Sequence, residues 1–236
     1  SQGKMFTAVA VLQLVDAGKV GLDDPIGKFL TDYPNQQMAA VTIRQLLSHQ
    51  GGTGDIGVLQ PDEGANRAWV RSIADLIKLN GDRAPEFPPG SRFGYSNYGF
   101  LLLGAVVEAA SGQSYYDYVA EHIFAPAGMT ATRYPTLEQM GDIARGYTQN
   151  EDGTLVPSAD QLPWRGTPAG GGVTTADDEV RFVEAIKAGT LIPLPLFEEA
   201  IRQQTDWYGY GFISSGPPEF PHWGHGGSAP GNSAAL

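Results

Sequence analysis

Ser1 and Lys4 form the pattern S-x-x-K at the head of a run of apolar residues. On a helix that spacing puts hydroxyl and amine on one face, within hydrogen-bonding reach. A serine hydroxyl is inert as a nucleophile until a neighbouring base takes its proton, and a lysine withdrawn from water is lowered in pKa toward that role. Alone, the pair is ordinary helix surface, with the serine as an N-cap and the lysine as a solvated charge. Two groups far along the chain change its meaning: Tyr95-Ser96-Asn97 and His225-Gly226-Gly227. A phenol can pass a proton and an amide can orient an amine, while glycines let a substrate lie close against a strand backbone. Each also has a plainer reading, Tyr95 as one of ten tyrosines packed in a loop and Asn97 as a turn former. The order of the three groups is what points to nucleophilic catalysis by serine.

Positioning such groups requires particular elements. Residues 2–17 read as a helix apolar on several sides (Met5, Phe6, Val9, Leu12, Val15), with Gly18 as its stop. A helix apolar all round is a central one, so its amino end holds Ser1 at the rim of a core, where the helix dipole favours negative charge. Thr42 caps a short helix ending at Leu47, and residues 68–79 read as another. Pro88-Pro89-Gly90 forces a turn, which puts Tyr95 on a loop ahead of an apolar helix over 98–110 that Gly112 ends. Residues 114–123 have helical amphipathicity, and Thr175, Asp177 and Asp178 form the acidic start of a helix to about Lys187. Strand character comes late, at 207–213 and 222–228. Helices mostly preceding strands predicts an α+β chain, with a mainly helical region at 1–175 and a partial α/β region at 176–236.

These residues resemble the serine β-lactamase and penicillin-binding-protein superfamily, and most of all its branch of class C β-lactamases, DD-peptidases, D-aminopeptidases and esterases. S-x-x-K with later serine-asparagine and lysine-glycine motifs is the set known for the related class A enzymes. Here Tyr-Ser-Asn and His-Gly-Gly point away from class A. The likeness extends to 4–24 (KMFTAVAVLQLVDAGKVGLDD), 41–55 (VTIRQLLSHQGGTGD), 87–104 (FPPGSRFGYSNYGFLLLG), 169–178 (AGGGVTTADD) and 224–231 (GHGGSAPG). It is weakest over 56–84 and 188–206. The resemblance implies a β-lactamase/DD-peptidase-like fold, an all-α region plus an antiparallel sheet flanked by helices. It implies a chain truncated at both ends, since relatives carry strands before the nucleophile and after the His-Gly-Gly strand. It further implies Ser1 as nucleophile, Lys4 and Tyr95 jointly as the base, with Tyr95 pushed toward phenolate, and Asn97 as a ligand of Lys4 and of the substrate carbonyl. Gly226, Gly227 and Ser228 line the substrate, with the Ser228 and Ser1 amides as the oxyanion hole. His225 stands where many β-lactamases have lysine, a shorter and pH-dependent cation that holds a substrate carboxylate poorly. That departure favours small-ester hydrolysis or D-specific peptidase activity over a true β-lactamase. A relative without catalysis that binds peptidoglycan peptides is the rival reading, and retention of Ser1, Lys4 and Tyr95 counts against it.

Composition narrows the remaining classes. The chain has 236 residues, enough for one large domain or two intimate ones, and a net charge of 15 − 26 = −11. Such a surface is a poor partner for nucleic acid or anionic lipid. Zero cysteines exclude disulfides and thiol chemistry, a pattern suited to a periplasmic or secreted protein. No apolar run is long enough to cross a bilayer. Gly52-Thr53-Gly54-Asp55-Ile56-Gly57 matches a dinucleotide fingerprint but follows helical sequence rather than a strand. His222 and His225 lack a third ligand at metal-binding spacing. The expected partner is therefore a small ester, amide or peptide, with no metal and no organic cofactor.

Overall fold

The computed structural model describes residues 1–56, 70–217 and 219–236. Its centre is α1 (Gly3–Asp16), in which eleven of 14 residues are buried, so the helix is enclosed on every side as its apolar sequence predicts. Gly18, at φ 67°, ends it by donating to the Val15 carbonyl, a left-handed position that a side chain would strain. Two further short helices follow, α2 (Gln36–Ala39) and α3 (Ile43–Leu47), the latter closed by a Thr42–Gln45 capping box. The helix expected at 68–79 appears as α4 (Ile73–Asn80), begun by a Ser72–Asp75 capping box; positions 68 and 69 lie outside the described residues.

The loop 87–96 leads into α5 (Asn97–Ser111), capped by Ser96 and ended by Gly112 at φ 75°. It packs along α1 and is almost wholly apolar from Tyr98 to Val107. Each large aliphatic side chain buried there contributes about 1.5–3 kcal/mol. Residues 114–123 differ from a simple helix. α6 (Tyr115–Val119) passes into a π-helical turn (Ala120–Phe124) and then α7 (Ala125–Ala127). Pro126 has no amide hydrogen for the His122 carbonyl, and the Gln13 side chain of α1 takes that carbonyl instead at 2.9 Å. Phe6 meets Phe124 and Phe182 edge-on at 5.1 and 4.9 Å, tying α1 to this turn and to α8 (Ala176–Lys187). The buried cluster therefore runs across the 175/176 division.

A helix absent from the sequence reading, α9 (Leu194–Ile201), begins after Pro193 and carries Pro195 in its first turn, where a missing amide hydrogen costs nothing. The strands form antiparallel pairs: β1 (Tyr147–Gln149) with β2 (Leu155–Pro157), β3 (Ile213–Ser215) with β4 (His222–Gly224), and β5 (Gly226–Ala229) with β6 (Asn232–Ala235). His225 joins β4 to β5 and exchanges both backbone hydrogen bonds with Leu236 at 3.1 and 3.3 Å. The strand expected over 207–213 begins only at Ile213. Its apolar alternation is broken by Gly211 at φ 78°, and the Tyr210 and Gly211 amides bond to the Ala200 and Leu47 carbonyls at two helix ends. Among the described residues no helix is long and apolar enough to cross a membrane.

Candidate active site

Ser1 precedes the N-cap of α1, which is Gln2, so its hydroxyl is not spent on capping the helix. One turn on, Lys4 is completely buried, with Nζ 3.2 Å from Ser1 Oγ, 2.7 Å from Asn97 Oδ1 and 2.8 Å from the Ala169 carbonyl. A neutral amine has two hydrogens and one lone pair. The two oxygens that can only accept, Asn97 Oδ1 and Ala169 O, take both hydrogens, and the lone pair is left for the Ser1 hydroxyl. Burial lowers the Lys4 pKa from the ordinary lysine value to about 7, against a smaller upward pull from the Asp55 carboxylate. Tyr95 Oη donates to Ser1 Oγ at 2.8 Å, so the serine oxygen sits between phenol and amine.

The expectation of a phenolate at Tyr95 needs correction. Burial raises the Tyr95 pKa, the Ser1 hydrogen bond lowers it by less, and Asp55 raises it further. Lys4 stands over the ring, 4.8 Å from its centroid, but as an amine near its midpoint at neutral pH it is a weak source of positive charge. Tyr95 is thus a neutral phenol donating a hydrogen bond, and Lys4 is the group poised to accept a proton.

His225 also departs from expectation. Its ring is 3% exposed, beneath Tyr208. Nδ1 faces the Gly226 carbonyl and so carries the hydrogen, and Nε2 accepts from the Tyr208 hydroxyl at 2.9 Å. Burial pushes its pKa down to about 4, partly offset by the Gly226 carbonyl. At neutral pH it is an uncharged, enclosed side chain, so the anticipated cation for a substrate carboxylate is missing. The backbone after it passes close to Ser1. A Cβ at Gly227 would come within 2.5 Å of the Ser1 backbone nitrogen, and one at Gly170, whose φ is 148°, within 2.8 Å. Glycine at both positions lets β5 and the 169–172 turn close on Ser1 from two sides. Ser1, Asn97 and Ser228 line one common cavity.

Two contributors escaped the sequence reading. Asp55 accepts from the Asn97 amide nitrogen at 2.8 Å and from Nδ2 at 3.2 Å, which fixes the side-chain amide with Oδ1 toward Lys4. His49, left-handed at φ 56° and 2% exposed, accepts from the Ser96 amide through Nδ1 at 3.1 Å and packs its ring 4.4 Å from that of Tyr95. Both lie in the stretch 41–55 that carries the family likeness, which was the available signal. His49→Ala would leave the buried Ser96 amide without an acceptor, a loss of about 1–3 kcal/mol. A lower Tm and a lower kcat are expected, partly restored in His49→Asn, which offers an oxygen acceptor and tolerates the left-handed backbone. A Tm equal to wild type in His49→Ala would refute this role.

The family model described as Beta-lactamase matches residues 1–236. The chain belongs to the Beta-lactamase family. A penicillin-binding protein of Bacillus subtilis is 29% identical over all of this chain and 56% of its own length. Thus the chain spans little more than half of that relative. A D-stereospecific amidohydrolase from Streptomyces sp. superposes with a TM-score of 0.82 at 26% identity, covering 100% of this chain and 76% of the other. A penicillin-binding protein from Bacillus halodurans gives 0.81 at 33% identity over 91% and 68%. The fold is therefore the β-lactamase/DD-peptidase-like one that the motifs imply.

Proposed function

We propose that this Beta-lactamase family chain is the catalytic part of a serine hydrolase that works through an acyl-enzyme. The observation that supports it is the arrangement around Ser1 Oγ, with a buried amine of pKa about 7 at 3.2 Å and a phenol at 2.8 Å. Lys4 takes the Ser1 proton as Oγ bonds to the substrate carbonyl carbon. The carbonyl oxygen becomes an oxyanion facing the amides of Ser1 and Ser228, donors that are worth about 3 kcal/mol each when preorganised. The proton travels from Lys4 by way of Tyr95 to the leaving alkoxide or amine as its bond to carbon breaks. A water, deprotonated by the same pair, then releases the acid and restores Ser1.

Neutral esters, or amides of D configuration like those named for the Streptomyces relative, are the proposed substrates in preference to β-lactams. A β-lactam carries a carboxylate beside its scissile bond, and the neutral His225 offers it no charge. The kcat/KM for p-nitrophenyl butyrate is therefore expected to exceed that for a chromogenic cephalosporin by at least about a hundredfold at pH 7, the worth of a missing charged anchor. A cephalosporin value equal to the ester value would overturn the substrate preference.

A further inference from the structure

The cavity that opens beside Ser1 has a volume of about 190 Å³. Asn97 and Ser228 line it, and Tyr95 and His225 do not. In the proposed reaction Tyr95 hands its proton to the leaving group, so the leaving group departs on the Tyr95 side. The acyl part of the substrate then occupies the cavity. Its walls come from Ile56, Leu76 and Leu79 near and on α4, Leu101 on α5, and Pro163 and Trp164 of the facing loop. Among the described residues no carboxylate lines it. The two charged side chains that do are arginines lying over aromatic rings, Arg71 at 4.7 Å from the Trp164 centroid and Arg165 at 3.6 Å from that of Tyr116. An enclosed apolar space of about 150 Å³ holds a benzene ring, which sets the scale of what fits.

We propose that this cavity is an acyl-group site selecting uncharged apolar acyl chains, either a phenyl-bearing group or a straight chain of about four to six carbons. The inference rests on the serine hydrolase reading above and names the part of the substrate that reading leaves open.

The test compares p-nitrophenyl acetate, hexanoate and phenylacetate, with Leu76→Trp to fill the cavity and Leu79→Gln at its exposed rim. Hexanoate and phenylacetate are expected to exceed acetate in kcat/KM by at least about tenfold, since the added methylenes are only partly buried. Leu76→Trp should bring that ratio below about threefold, because bulk in the cavity removes the room that the longer acyl groups need. Leu79→Gln, half-exposed and harmless to packing, should lower the ratio in the same direction, and it carries the test if Leu76→Trp does not fold. A wild-type ratio near one, with acetate hydrolysed through Ser1, overturns the acyl site and leaves the serine mechanism standing. A ratio unchanged in both folded variants overturns it equally. Absence of turnover on all three esters overturns the parent reading and this inference together.

Discussion

Ser1→Ala should abolish p-nitrophenyl ester turnover and labelling by a fluorophosphonate, with kcat/KM down by at least about ten-thousandfold. The fold should survive, because the hydroxyl does not cap the helix and its hydrogen-bond partners among the described residues are Lys4 Nζ and Tyr95 Oη. The Lys4 amine keeps its bonds to Asn97 and Ala169 in the variant, so no buried nitrogen is stranded. The measurement is a burst experiment beside a thermal melt. Residual labelling in a folded Ser1→Ala protein would place the nucleophile elsewhere.

Lys4 should govern the pH dependence of acylation. Its pKa is lowered to about 7, so the amine is protonated below that pH and free to accept the serine proton above it. The kcat/KM for a neutral ester is expected to rise with a midpoint near pH 7 and then level off. The nearby histidines do not account for such a limb: His225 is pushed down to about 4 and His49 is also held well below its ordinary value, both mainly by burial. Lys4→Ala should lower kcat/KM by at least about a hundredfold and remove the limb, the usual loss on deleting a positioned base. Asp55→Asn removes the charge that pulls the Lys4 pKa up, so the midpoint should move to lower pH. A limb that persists in Lys4→Ala, or an upward movement in Asp55→Asn, would be inconsistent with Lys4 as the base.

Ser1, Lys4 and the Tyr-x-Asn loop were legible as motifs, and most helices were legible from their ends. Thr42, Thr175 and Gly112 act on backbone groups within a few residues, so a short window of sequence contains both the signal and its target. The burial of Lys4 was also readable, because α1 is apolar on every side. By contrast, the strand expected at 207–213 is a loop up to Ile213, and its Tyr210 and Gly211 amides bond to carbonyls at the ends of two distant helices. The charge state of Tyr95 and His225 escaped the motifs for a related reason. A pKa depends on how much water packing removes and on which dipoles remain, and for His225 those are Tyr208 and its own strand. Lys4 offers the same lesson, since its lone pair is aimed at Ser1 by an asparagine 93 residues away and a carbonyl 165 residues away. The chain carries Ser1, Lys4 and Tyr95 in local patterns, whereas their protonation and the shape of the cavity beside Ser1 arise from contacts between segments far apart in sequence, where no local pattern records the partner.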